Sequence, residues 1–549
     1  MEKIDRRKFL TYAGSTTAAL AVASTGIDSV ANAMAPQQNK KSTGKAGGKG
    51  KPLTAPFKEI ERTWENDLVL PQGYQYNIIA SYGDVINSKG EEFGDSADLT
   101  VYFPIDSLEG GNHSEEGLIW VNHEFPEPEN YMKMLGINPD TFDQSKLAQY
   151  PKLLKMEKKA VGGSVIRVKK DKGEWKLVKD DKYNRRIDGT TSIQLTGPAA
   201  GSKAVKGAKT VKGTLGNCSG GKTLWNTALS CEENTFYGDD YGWPDFTDEH
   251  YGWVVEVDPF DPDKPVRKHT ALGRFAHENT AVGLTKDGKV AIYMGDDKRD
   301  EFFYKFISHK TYSPNNRKAN FDILESGTLY VANLEEQQWI TLDYETNEEL
   351  QNYEKDGKKF FANQADVLTY AREAARAVGA TQLDRPEDVE IHPHDGSVFL
   401  SLTNNSDHGN FHGQIVRFEP AENDHGSDRF TFQVFVAGGR ESGITCPDNL
   451  HFDSKGNLWV VEDFSATEDN VYATYKNCGA FMIPTDGKNY GEPFQFASGP
   501  KGCEVTGPWL TPDERTLFLD VQHPETWNPY PDYDFGRSCL VAVQGGKFH

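Results

Sequence analysis

The stretch from Gly216 to Asn234 puts a thiol, Cys218, on a glycine-rich loop and two adjacent carboxylates, Glu232 and Glu233, at the end of an apolar run. A soft thiolate beside hard oxygen donors suits a metal site of mixed character. The run between them, Thr223 to Ser230, is expected to be a strand. Similar clusters recur along the chain: Asn122-His123-Glu124, His277-Glu278-Asn279, Asp296-Asp297, Arg385-Pro386-Glu387, Pro447-Asp448-Asn449 and Cys503-Glu504. Glutamates outnumber histidines, which disfavours zinc alone. A carboxylate-rich shell suits calcium or trivalent iron, and the thiolate suits iron better than calcium. Arg385 stands two residues from Glu387, so on an extended strand both would share a face, where the guanidinium can fork onto a phosphate or another oxyanion. Asn122, two residues before Glu124, can offer its amide in the same way. No Gly-x-Ser-x-Gly elbow, Walker loop or ordered Ser/His/Asp set occurs. Metal-driven chemistry is therefore expected over serine-driven chemistry.

These side chains need a scaffold that gathers distant acids. Apolar runs preceded by turn signals end in polar residues at Gly117–Glu124, Gly288–Asp297, Gly396–Asn405, Gly456–Asp463 and Thr516–His523, with Thr223–Glu233 as a further case. The pattern predicts an all-β protein, a β-propeller of about six blades with inserted loops and a few helices. The innermost strand of each blade is expected to deliver its polar end to the mouth of the channel. A helix is predicted over Ala362–Ala380, with Val367, Tyr370, Ala374 and Val378 on one side and Gly379 as its stop. It reads as an insertion that covers or props the site. Glu127–Leu154 is expected to be partly helical and to form a lid.

The chain has 549 residues with 52 Gly, 27 Pro and 11% aromatics, a composition that favours short strands and tight turns. A net charge of −22 argues against a nucleic-acid partner. Six cysteines are too few for a disulfide scaffold, although Cys446, Cys478, Cys503 and Cys539 allow one or two bridges. Asp5-Arg-Arg-Lys-Phe-Leu10, the mildly apolar run Tyr12–Ile27 and Ala31-Asn-Ala33 form a twin-arginine export signal over residues 1–33. Residues 34–56 read as a flexible basic linker, and 57–549 as a single catalytic domain. Export through the Tat translocase to the periplasm or beyond is expected, with no membrane span in the mature chain.

Taken together, Trp120-Val-Asn-His-Glu124, Gly197-Pro-Ala-Ala-Gly201, Asn217-Cys-Ser-Gly-Gly-Lys-Thr223, Cys231-Glu-Glu-Asn234, His277-Glu-Asn279, Gly295-Asp-Asp297, Arg385-Pro-Glu387, Pro447-Asp-Asn449, Gly502-Cys-Glu-Val-Thr-Gly507 and Val521-Gln-His-Pro524 resemble the PhoX family of secreted alkaline phosphatases. The resemblance runs from about Phe57 to Gln544. It implies a propeller-like fold, a ferric pair with several calcium ions and a bridging oxo group, and hydrolysis of phosphomonoesters at alkaline pH. Carried over by motif, Glu124, Cys218, Glu278, Asp297 and Glu387 become candidates for the Fe(3+)–Ca(2+) cluster. Glu232 or Glu233, Asp448 and Glu504 become candidates for calcium, and Arg385 for the phosphate. Cys503 departs from the family, where a small residue is expected; it can pair with Cys446 or simply pack. A monomer acting on small phosphomonoesters is expected. Two other readings remain: a calcium-dependent lactonase-type propeller, to which Pro447–Trp459 is similar, and a non-catalytic calcium-binding propeller.

Overall fold

The computed structural model describes residues 55–233, 241–525 and 535–549. The export signal, most of the linker and Asn234 lie outside the described residues.

The strands fall into six large sheets, antiparallel except for the parallel pairing of Arg267–His269 with Ser192–Thr196 in the second, arranged as the six blades of a β-propeller, with two small two-stranded ribbons beside them. The inner strands are Ala97–Pro104, Asn217–Lys222, Ala281–Leu284, Pro386–Ile391, Pro447–Phe452 and Glu504–Leu510. Each contacts the inner strand of the blades on both sides, so they close a ring around the axis. The last blade takes its outermost strand, Gln75–Ser81, from the start of the chain, paired antiparallel with Cys539–Gln544. That pairing ties the two ends of the polypeptide into one sheet.

Each sheet is covered on both faces, which explains why the strands read as continuous apolar runs and not as alternating ones. One buried cluster sits at each junction between neighbouring blades. Val101, Trp120 and Val255 fill the first, for example, and Phe399, Ile415 and Leu458 fill the one between the fourth and fifth blades. Burying each such side chain contributes roughly 1.5–3 kcal/mol, so the blades are held by stacked interfaces and not by one central core.

Two expectations about strands need correcting. The acid-tipped runs read from the sequence are the second strand of each blade, not the innermost. Within the opening stretch, Thr223–Ser230 is not one strand: Asn217–Lys222 and Ala228–Glu232 form a hairpin, with the turn closed by Thr223 and Thr227 and with Asn226 at φ 58°. The glycines taken for a loop are inner-strand residues. A Cβ on Gly220 would stand 2.1 Å from the Leu229 carbonyl oxygen, and one on Gly221 2.2 Å from that of Thr280 in the next blade. Only glycine allows the chain to approach its neighbours that closely at the axis.

The predicted helix is two short helices, Gln364–Thr369 and Ala371–Ala377, broken at Tyr370. Val367, Ala374 and Val378 are buried against the third blade, with Tyr370 partly buried beside them, and Gly379 has the left-handed φ of 70° that stops the second helix. The segment expected to form a lid contains Pro128–Leu135, short 3-10 turns and the start of Pro151–Ala160. All six cysteines are free thiols. The bridges allowed by the sequence do not form: Cys446 Sγ lies 3.4 Å from the Phe411 carbonyl oxygen and Cys478 Sγ 3.0 Å from that of Phe464, while Cys503 and Cys539 pack as thiols in one buried cluster.

Candidate metal centre

Neighbouring strands in a blade are antiparallel, so the start of the first and the end of the second lie at the same end of the propeller. This produces two rings of side chains on one face. The inner ring takes one residue from the head of each first strand: Asp98, Cys218, Glu278, Glu387, Asp448 and Glu504. Two positions before most of these the backbone is left-handed, at Ser96, Gly216, Arg385, Cys446 and Gly502, with φ from 44° to 70°. Strand pairing also shifts register just after the turn, as between Ala97 and Thr100, Pro386 and Val389, and Pro447 and Leu450. Such bulges re-aim side chains, and non-glycine residues held at positive φ concentrate at functional sites. The outer ring takes Glu124, Glu233, Asp297 and Asp463 from just beyond the second strands.

Ligand atoms of Asp98, Glu124 and Cys218 lie within 4.8 Å of one another, and so do those of Glu278, Glu387 and Asp448. Cys218 links the two trios. Its Sγ is 3.3 Å from Asp98 Oδ2 and 3.2 Å from Glu278 Oε1, and a single S–H can serve only one of them at a time. Gln522 Nε2 donates to Asp98 Oδ2 at 2.7 Å and to Glu124 Oε2 at 3.0 Å, fixing how both acids face the axis.

The charge balance of this centre points to cations. Burial, and then repulsion from the neighbouring acids, pushes Asp98, Glu233, Glu278 and Glu504 well above the usual carboxylate range. Burial also raises Glu387 and Asp448, and it raises the Cys218 thiol, to which Asp98 and Glu278 add. Asp98 Oδ1 is buried with no hydrogen-bond partner, and Glu387 Oε1 likewise accepts no well-directed hydrogen bond. Oxygen and sulfur donors that cannot all ionise together, with lone pairs left unused, fit bound cations, which would reverse the local field. Many hard oxygens with one thiolate is a donor set suited to calcium and iron together.

Arg385 is the cation built into the centre. Its Nε and Nη2 fork onto Asp297 at 2.9 and 2.8 Å; Nη2 also lies 2.6 Å from Glu387 Oε1, and Nη1 3.1 Å from Asp463 Oδ2. Burial alone would lower its pKa, but Asp297, Glu387 and Asp463 outweigh that and hold it well above the ordinary value. Its side chain is 23% exposed, open enough to meet a ligand. Arg385 reaches Glu387 from a left-handed turn and not, as expected, from an extended strand.

Two sequence candidates have other partners. Glu232 is fully buried in a salt bridge of 2.7 Å with Lys268 and accepts from Thr214 Oγ1, Leu215 N and Trp253 N. Successive strand residues face opposite ways, so Glu232 turns into the blade while Glu233 feels Asp297 and Glu124 across the centre. Asn122 has no amide hydrogen left for an oxyanion. Its Nδ2 donates to the carbonyls of Cys218 and Ser219, both at 2.7 Å, and its Oδ1 accepts from Trp120 and Ser230. It clamps the strand that carries Cys218.

Asp98, Asp463, Gln522 and His523 were not picked out as site residues. Asp463 and His523 end runs already singled out. Asp98 heads a strand with no glycine or histidine to mark it, and its signal is the shared position at the head of the inner strand. His523 Nε2 lies 3.3 Å from Glu504 Oε2.

The insertions brace the rim. Arg372, on the second inserted helix, forks onto Asp296, next to Asp297, and Arg376 pairs with Glu301. Tyr131 of the helix Pro128–Leu135 donates to Asp95 Oδ2 at 2.7 Å, just ahead of Asp98, and burial pushes Asp95 up to about 6.

A family model described as Alkaline phosphatase PhoX matches residues 55–525. Among solved structures, Pseudomonas fluorescens PhoX in complex with vanadate, a transition state analogue, is similar with a TM-score of 0.77 at 31% identity, covering 89% of this chain and 98% of that one. A protein of unknown function from Dyadobacter fermentans has a TM-score of 0.38 at 10% identity, covering 86% of this chain and 99% of its own. A putative 6-phosphogluconolactonase from Bacteroides uniformis has a TM-score of 0.35 at 11% identity, covering 86% and 100%. These last two are too distant to carry an argument. No curated protein sequence matches this chain.

Proposed function

This chain belongs to the alkaline phosphatase PhoX family and is a phosphoric monoester hydrolase, and from that premise we propose that its ringed acids hold an iron–calcium cluster serving phosphomonoesters bound at Arg385. The observation that carries the proposal is the axial set of buried carboxylates around one thiol, with a single arginine among them. Glu124, Cys218, Glu278, Asp297 and Glu387, joined by Asp98, would hold the Fe(3+)–Ca(2+) cluster. Glu233, Asp448 and Glu504 would complete the calcium shells. Bound there, the cations supply Lewis-acid stabilisation for charge on the phosphoryl oxygens.

The protein's own groups orient the substrate. Asp297 holds the plane of the Arg385 guanidinium through Nε and Nη2, leaving the Nη1 edge as the one a phosphate oxygen can take over from Asp463. A charge-assisted pair of this kind adds geometry as well as energy. Asn122 and Gln522 act behind the donors, as hydrogen-bonded supports of a metal site do. The vanadate complex of the Pseudomonas fluorescens protein supports the same class of reaction here. The lactonase-type reading rests on one blade and has no use for Cys218, and the non-catalytic reading is set aside by the family.

The Asp5–Leu10 motif supports export by the Tat translocase to the periplasm or beyond, of a mature chain whose residues 57–549 act as one catalytic unit and a monomer. Cys218→Ala is expected to lose bound iron and p-nitrophenyl phosphate hydrolysis together. Full hydrolysis by that variant would remove Cys218 from the metal shell.

A further inference from the structure

The outer ring of acids is broken at two blades. Blades one, two, three and five end their second strands in Glu124, Glu233, Asp297 and Asp463. Blade four offers Thr403, Asn404 and Asn405 there, and blade six offers His523. The blade-four gap adjoins Arg385, whose carbonyl accepts from Thr403 N at 3.2 Å. Two large apolar side chains stand exposed on the loops that follow the second strands of blades four and five, Phe411 at 39% and Val471 at 53%. Their loops are joined to each other and to the site. Tyr472 Oη donates to the Phe411 carbonyl at 3.0 Å, Cys446 Sγ lies 3.4 Å from the same oxygen, and the Cys446 carbonyl accepts from Asp463 N at 3.0 Å. Asp463 in turn holds Arg385 Nη1.

We propose, building on the phosphatase reading above, that this gap is the leaving-group subsite and that Phe411 and Val471 select phosphomonoesters of aromatic or bulky apolar alcohols. A phosphate on the Nη1 edge of Arg385 takes the place of Asp463, so its ester oxygen can point along the sector where Thr403, Asn404 and Asn405 replace an acid and where Asp407 is paired with Arg299. Elsewhere on blades one, two, three and five the rim is anionic and rewards no apolar group. At the gap, an aryl group meets an exposed aromatic ring and a branched aliphatic chain, and both gain by leaving water.

The test compares 1-naphthyl phosphate with glycerol phosphate on the metal-loaded enzyme. In Phe411→Ala and in Val471→Ser, the KM ratio of naphthyl to glyceryl ester is expected to rise about three- to tenfold, the worth of one aromatic or apolar contact. Phe411→Tyr, which keeps the ring, is expected to restore the wild-type ratio. Equal changes for both esters, or none, would overturn the subsite. On the wild-type protein, calorimetric titration should find phenylphosphonate bound more tightly than methylphosphonate, and equal affinities would also overturn it. Wild-type enzyme that hydrolyses neither ester would instead overturn the phosphatase reading, so the two failures can be told apart.

Discussion

Arg385 holds Asp297, Glu387 and Asp463 at once, which on the proposed reading puts it between the metal donors and the substrate. Arg385→Ala is expected to keep the bound metals, since Glu387 and Asp297 remain, and to lower kcat for p-nitrophenyl phosphate by about a hundredfold or more, as removing one charge-stabilising donor does. Unchanged kinetics with full metal content would take Arg385 out of the site. Much of the residue-level picture was legible in the sequence, because acids that tip an apolar run, Glu124 and Asp297, and acids in short polar clusters, Glu278, Glu387, Asp448 and Glu504, stand out, and all of them lie on the axial face. What spacing could not provide was the direction of a side chain within a pair. Glu232 and Glu233 are chemically alike, and only the buried Lys268 shows that the first belongs to the blade. Asn122 misled for a related reason: an amide two residues from a metal ligand looks available until the backbone it supports is seen. Asp98 stayed hidden because, unlike Glu387, Asp448 and Glu504, it heads its strand outside the polar clusters that mark the others.

At the scale of elements, the repeated unit is a left-handed turn, a short inner strand, a hairpin and a second strand returning to the same face. The second strands follow the turn signals and end in polar residues, so they dominate the pattern. The inner strands, several with glycine or proline at or near their heads, resemble loops. The inserted helices have a definite task, since Arg372 supplies the counter-charge for Asp296, which is fully buried. Arg372→Met would leave that carboxylate buried without its partner, at a cost of about 3–5 kcal/mol. Turnover should fall as well, because Asp296 and Asp297 are consecutive. Denaturant unfolding that places the variant within about 1 kcal/mol of wild type would contradict the bracing role. A similar pair anchors the N-terminal segment: Arg62 Nη2 lies 2.6 Å from Glu462 Oε1, and Glu462 is the residue before Asp463.

For the whole molecule, the propeller makes one chemical centre from residues more than four hundred positions apart, such as Asp98 and Glu504. Six repeated strand signals were enough to predict six blades. They could not reveal the closure by Gln75–Ser81 or the two extra strands of the second blade, because those pairings depend on contacts distant in sequence. The same architecture concentrates negative charge at the axis, where burial raises the acids and only cations can relieve it. The proposal is therefore compositional: this centre would hold iron together with calcium. The direct measurement is the metal content of the protein, purified without added metal and analysed by inductively coupled plasma mass spectrometry. Iron and calcium bound in the same particle is the predicted result, and calcium alone, or neither metal in an active enzyme, would contradict it.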